Sequence, residues 1–133
     1  MCKMDRTKGE KTKENIIEAA AELFLLKGYN ATGISDILKT TNLPKGSFYY
    51  HFKSKSELGV AVCNYFEEQY DKFFIKSATG MITWEEFITS LILQIERAIK
   101  QERFYGCPFA ILGTELTKDE PEIAKCCVKA LDR

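Results

Sequence analysis

Apolar residues recur at spacings of three and four along almost the whole chain, and nowhere do Val, Ile and Thr alternate with polar residues over the length of a strand. The pattern predicts an all-α fold. A first helix is expected over residues 13–26, with Thr12 as its N-cap and Ile16, Ile17, Ala20, Ala21 and Phe24 as its buried stripe. Gly28 follows, where helices commonly end on a left-handed residue. A short second helix is expected over 34–40, with Ile34, Ile37 and Leu38 turned inward, and a short third over 45–52. Between them, Asn42 tolerates the left-handed turn that ends one helix, and Pro44 fixes φ where the next begins.

Further on, Ser54-Lys55-Ser56-Glu57 has the form of a capping box and opens a fourth helix to about residue 76, with Leu58, Val62, Tyr65, Phe66 and Phe73 along one side. Residues 78–80 break it. Thr83-Trp84-Glu85-Glu86 is a second capping box, and the fifth helix behind it carries Trp84, Phe87, Ile88, Leu91, Ile92, Ile95 and Ile99 in one broad stripe expected to be buried. Gly106-Cys107-Pro108 opens a sixth helix ending near residue 117. Asp119-Glu120-Pro121-Glu122 opens a seventh, expected to continue to residue 133. The organisation is a three-helix head, residues 1–53, and a helical body, residues 54–133.

Composition narrows the classes. With 133 residues, 45% apolar and 29% charged, the chain can bury a core without staples. No run of about 18 apolar residues is present, so no membrane partner is expected, and Met-Cys-Lys-Met-Asp-Arg lacks the apolar stretch of a secretory signal, which places the chain in the cytoplasm. Five cysteines stand irregularly at 2, 63, 107, 126 and 127, without a Cys-x-x-Cys pair and with His51 as the only histidine. Reduced thiols are expected, with no disulfide framework, metal site or cofactor. The net charge of zero conceals an asymmetry: residues 1–55 hold ten Lys/Arg against six Asp/Glu, and residues 56–133 nine against thirteen. A basic head on an acidic body suits a polyanion partner for the first third of the chain.

The segment 32–52 carries the chemistry. Two short helices joined by a tight turn form a helix-turn-helix, whose second helix fits the major groove of duplex DNA. Phe48 and Phe52, four residues apart, face inward against Ile37 and Leu43. Lys45 and Tyr49, also four apart, face outward, flanked by Ser47 and His51. Gly46 keeps the first turn bare, so Lys45 and Ser47 can approach base edges. Tyr49 and His51 can donate to phosphate oxygens, with Lys53 and Lys55 adding charge. Tyr50 is expected to pack. No nucleophile or carboxylate is paired with His51, so no catalytic residue and no enzyme activity are expected.

Thr12-Lys-Glu-Asn-Ile-Ile, Leu23-Phe24, Lys27-Gly28-Tyr29, Ala31-Thr32, Ile34-x-x-Ile37 and the run from Lys45 to Lys55 together resemble the DNA-binding domain of the TetR/AcrR family of transcriptional regulators, over about residues 12–62. Gly106-Cys107-Pro108-x-x-x-Leu112-x-x-Glu115-Leu116 resembles the sixth helix in one branch of that family. The resemblance implies a homodimer on a palindromic DNA operator, acting as a repressor until a small apolar or electrophilic effector enters the helical body. It implies base approach by Lys45, Gly46, Ser47 and Tyr49, and phosphate contacts by Thr32, Tyr49, His51 and Lys55. Two departures stand out. Pro44 replaces the usual Ser or Thr cap. The family's last helices, which make its dimer interface, have no counterpart here, so the ligand-binding and dimerisation domain is expected to be incomplete.

The body holds ten of the aromatic residues, Phe104 among them. Stripes of this kind usually form core, but they also line apolar pockets. Phe66, Tyr70, Phe87, Leu91 and Phe109 are the candidate ligand contacts, with Gln94 as a polar group among them. Cys107, ahead of a helix start, is either a small buried side chain or a sensor thiol. The alternative function is accordingly a redox- or electrophile-reactive protein built on Cys107.

Overall fold

Seven helices follow one another in a computed structural model that describes residues 6–103, 105–115 and 119–132: α1 (Lys8–Lys27), α2 (Ile34–Thr41), α3 (Lys45–His51), α4 (Lys55–Ala78), α5 (Trp84–Lys100), α6 (Pro108–Glu115) and α7 (Pro121–Leu131). Cys2, Phe104 and the expected end of the sixth helix at Leu116 and Thr117 lie outside the described residues. No strand occurs among the described residues.

The start of α1 corrects the expected cap. Thr7, not Thr12, is the N-cap: its hydroxyl accepts from the Glu10 N–H at 3.2 Å, and the Glu10 carboxylate accepts from the Thr7 N–H at 2.7 Å. That reciprocal pair satisfies two otherwise orphaned donors. Thr12 lies one turn inside and donates to the Lys8 carbonyl at 2.9 Å. Gly28 ends α1 at φ +87°. A side chain there would also displace the Glu115 carboxylate, while the positive φ itself calls for glycine. The N-cap positions of α4 and α5, Ser54 and Thr83, hold as read. However, Glu57 turns its carboxylate to the Lys53 N–H at 3.0 Å rather than to Ser54, so only half of the first expected box forms. The seventh helix closes at Leu131, with Asp132 as its C-cap, short of its expected run to residue 133.

The core is one continuous cluster. Ile16, Ala20 and Phe24 of α1, Ile37 of α2, Phe48 and Phe52 around α3, Leu58, Val62 and Phe66 of α4, Phe109 and Leu112 of α6 and Ile123 and Cys127 of α7 all belong to it. It therefore runs across the expected boundary at residue 53. The long α4 is the spine, packing on α1 toward the head and on α5, α6 and α7 toward the body. α5 departs from its expectation: none of its residues is buried, and Trp84, Ile92 and Ile99 are more than half exposed. Its amphipathic stripe is real, but among the described helices its main packing partner is α4.

Candidate nucleic-acid interface

The turn into α3 is built by backbone chemistry. Asn42 ends α2 in the left-handed region, at φ 55° and ψ 37°, and its N–H returns to the Leu38 carbonyl. Pro44 is the N-cap of α3 at φ −71°, with no side-chain cap; the Ser47 N–H finds the Pro44 carbonyl at 3.0 Å instead. Two side chains then anchor the seven-residue helix from beneath. Phe48 is wholly buried and Phe52 nearly so, their rings 5.9 Å apart, with Ile37 buried beside them and Leu43 partly buried against the cluster. A helix this short has little stability of its own, so its orientation is set by that apolar footing.

The opposite face is open. Lys45, Gly46 and Tyr49 are exposed, and Ser47 and His51 are half-buried at its flanks. The Lys45 ammonium lies 5.9 Å from the Tyr49 ring centroid, which holds the two outward groups together. Nothing stands within 4 Å of where a Gly46 side chain would begin, so the first turn is bare. Tyr50 corrects its expectation: it is 83% exposed and touches His51 edge-on at 4.9 Å between ring centroids. Its place two positions from Phe48 and Phe52 puts it on the outer side.

Two further expected phosphate contacts lie off this open face. Thr32 is fully buried, and its hydroxyl donates to the Gly28 carbonyl at 2.8 Å. It pins the loop between α1 and α2 and does not reach the surface, because its short side chain points back into the open carbonyls at the end of α1. Lys55 is half-buried, its ammonium 4.1 Å from the Tyr29 ring centroid. Burial lowers its pKa, and the nearby Glu120 and Glu115 carboxylates work against that shift. Lys53, by contrast, is exposed beside the open face.

A model of bacterial regulatory proteins of the tetR family matches residues 16–62, from the second turn of α1 into α4. Over that segment, residues 16–62, the chain is a TetR-family protein. An uncharacterized helix-turn-helix transcriptional regulator from the lacX 3' region of Lactococcus lactis is 32% identical over 119 residues, covering 86% of this chain and 59% of the relative. The transcriptional regulator QacR of Staphylococcus aureus is 36% identical over 104 residues, covering 75% of this chain and 52% of the relative. This TetR-family chain thus spans little more than half the length of those relatives. In fold, a TetR transcriptional regulator from Chloroflexus aurantiacus superposes with a TM-score of 0.79 at 29% identity, over 94% of this chain and 64% of that one.

In the body of this TetR-family protein, the candidate ligand contacts divide. Phe66 and Phe109 are buried core, and Tyr70 packs on Phe109 with ring centroids 5.5 Å apart. Burial, and then a hydrogen bond to Cys107, push the Tyr70 hydroxyl up to about 12. Phe87 stacks on Trp84 at 5.2 Å, away from that group, and Leu91 is half-buried on the same helix. These five do not converge on one of the described cavities. An open groove of about 800 Å³ lies instead between the end of α4 and α5, lined by Lys76, Thr83, Glu86, Ser90, Gln94 and Arg97 among others. Gln94 donates to the Ser77 hydroxyl there at 2.5 Å. Cys107 is half-buried, with the Tyr70 hydroxyl as its neighbour. Among the described residues no cluster of His, Cys, Asp and Glu could hold a metal, and no helix is long and apolar enough to cross a membrane.

Sequence reasoning missed a polar clamp between head and body. Glu115, at the end of α6, accepts from the N–H groups of Tyr29 at 2.7 Å and Asn30 at 3.3 Å. Glu120, just before α7, accepts from the Tyr29 hydroxyl at 3.0 Å and the Ser56 hydroxyl at 2.5 Å. Burial, followed by the hydrogen bond to Glu120, raises the Tyr29 hydroxyl well above its usual range. These partners stand 64 to 91 residues apart in sequence, so no local pattern could pair them.

Proposed function

We propose that this protein is a cytoplasmic transcriptional regulator that binds a palindromic operator in duplex DNA as a homodimer, represses the adjoining genes, and is released when a small apolar or electrophilic effector binds the body. The observation that carries the reading is the two-sided α3: Phe48 and Phe52 fix the helix while Lys45, Gly46, Ser47 and Tyr49 stand open to a groove. Membership of the TetR family and relatives that are themselves helix-turn-helix transcriptional regulators support it.

In this reading residues 1–53 form the DNA-binding head and 54–133 the regulatory body. Lys45 and Ser47 read base edges, Gly46 permits the approach, and Tyr49, His51 and Lys53 hold phosphates. Lys55, half-buried over Tyr29, adds charge beside them, and Thr32 pins the loop between α1 and α2 from inside. Fluorescence anisotropy against the intergenic DNA beside the gene, across a salt series, tests it. Lys45→Ala is expected to cost about 1–3 kcal/mol of specific binding and to relax sequence choice. Lys53→Ala should weaken binding to all sequences and reduce the slope of log K against log salt by about 1. Unchanged binding in both variants defeats the proposal.

A further inference from the structure

Three of the four described cysteines meet at one seam, and none belongs to the DNA-binding face. Cys63, in the third turn of α4, and Cys127, in α7, are 64 residues apart in sequence, buried, and 3.7 Å apart at sulfur. Cys126 is half-buried on the same seam, its thiol donating to the Asn64 amide oxygen of α4 at 3.3 Å. Cys107 lies apart, beside Tyr70.

The register explains why the sulfurs meet. One turn before Cys127, Ile123 lies against Gly59, one turn before Cys63. The pairs 59/123 and 63/127 advance together by four residues, so α4 and α7 run in the same direction with a constant offset. A side chain at position 59 would strike Ile123 and crowd Tyr29. The bare Gly59 therefore sets the close approach of the two helices, and the next turn delivers one thiol from each. The thiols remain unbonded.

We propose that Cys63 and Cys127 form a reversible oxidation site, a dithiol across the α4–α7 seam that a hydroperoxide-class oxidant closes into a disulfide. Cys127 attacks one oxygen of hydrogen peroxide, becoming a sulfenic acid, and the other oxygen leaves as water. The Cys63 sulfur then attacks the Cys127 sulfur. The S–S bond forms, hydroxide departs and takes the Cys63 proton, and a second water results. The two sulfurs lose two electrons and the peroxide gains them; an external thiol reverses the change. The two thiols share one hydrogen bond in which either sulfur can be the donor, so the same sequence of steps runs equally from Cys63, and the product is one disulfide either way.

Closing from 3.7 Å to a bond of about 2.05 Å brings the two sulfurs together across the α4–α7 seam. The product staples α7 to the helix that follows the head. The site is distinct from Cys107 and stands independently of DNA binding.

The full chain, reduced and then exposed to a slight excess of hydrogen peroxide, is alkylated and mapped by peptide mass spectrometry. The expected product is one 63–127 cross-linked peptide pair, reversed by dithiothreitol. It should persist in Cys107→Ser and Cys126→Ser and disappear in Cys63→Ser and Cys127→Ser. The oxidised wild-type protein should also melt at a higher temperature than the reduced one. Recovery of Cys63 and Cys127 fully alkylated, or of a 63–126 link in their place, overturns the proposal. So does an oxidised protein that melts no higher than the reduced form. The wild-type map decides the matter even where a serine variant folds poorly.

Discussion

Gly46 and Phe48 sit two positions apart in α3 and do opposite work. Gly46 contributes absence: no heavy atom stands within 4 Å of where its side chain would begin, so Gly46→Ala fits the folded chain and gains up to about 1 kcal/mol of helix propensity. The added methyl would face the DNA. The variant is therefore expected to melt no lower than wild type, yet to lose roughly ten- to a hundredfold in operator affinity, the worth of about 1–3 kcal/mol of base contact. Melting and anisotropy measured on the same sample separate the two effects. Phe48 contributes volume and is wholly buried. Phe48→Ala should cost about 3–5 kcal/mol, a large part of the total stability of a small domain. A fall in the thermal midpoint would be accompanied by loss of all DNA binding, specific and non-specific alike. Both residue roles were legible in the sequence, because a four-residue spacing separates the two sides of a helix whatever lies around it. Thr32 and Lys55 were not legible, because the direction in which each side chain turns depends on groups distant in sequence.

At the scale of the element, helix ends decide register and pH response. Asp36 stands at the third position of α2, where its carboxylate accepts from the Gly33 N–H at 2.8 Å and pairs with Lys27 at 3.1 Å. Those two contacts, the backbone donor first, hold its pKa below 3.8. Since folding depresses this pKa, its stabilisation is present above pH 3.8 and is lost as pH falls through the folded value. Asp36→Asn should therefore melt below wild type at neutral pH, and the gap should be narrower at a pH below 3.8, while the carboxylates of Glu10 and Glu86, depressed by the same capping chemistry, weaken both proteins alike. Thermal melts at the two pH values check this. The cap at Thr7 carried a readable signal, Thr7-x-x-Glu10, but the apolar stripe begins only at Ile16, and a helix start read from that stripe falls late. In α5 the stripe was read correctly and its burial was not, since amphipathicity shows which face seeks cover and not what covers it.

At the scale of the molecule, head and body are joined by a shared core and by the two carboxylates that hold Tyr29, Asn30 and Ser56. Glu120→Ala removes the acceptor of two part-buried hydroxyls, which should cost roughly 1–3 kcal/mol. Hydrogen exchange should accelerate around Tyr29 and the start of α7 and leave α5 unchanged; uniform exchange in both places would show that the clamp does not couple them. The clamp lies at the junction of head and body, so the same variant is a probe of the proposed release of DNA.

Periodicity, capping residues and turn chemistry act within four or five residues, and for that reason the chain by itself determined seven helices, the tight turn at Asn42 and Pro44, and the two faces of α3. Packing between distant segments determined the rest. Only the tertiary structure turned Lys55 onto Tyr29, buried Thr32, left the α5 stripe open and drew Cys127 to within 3.7 Å of Cys63. Each of those outcomes depends on which helix becomes whose neighbour, and that is settled by the collective burial of apolar surface, which no short window of sequence contains.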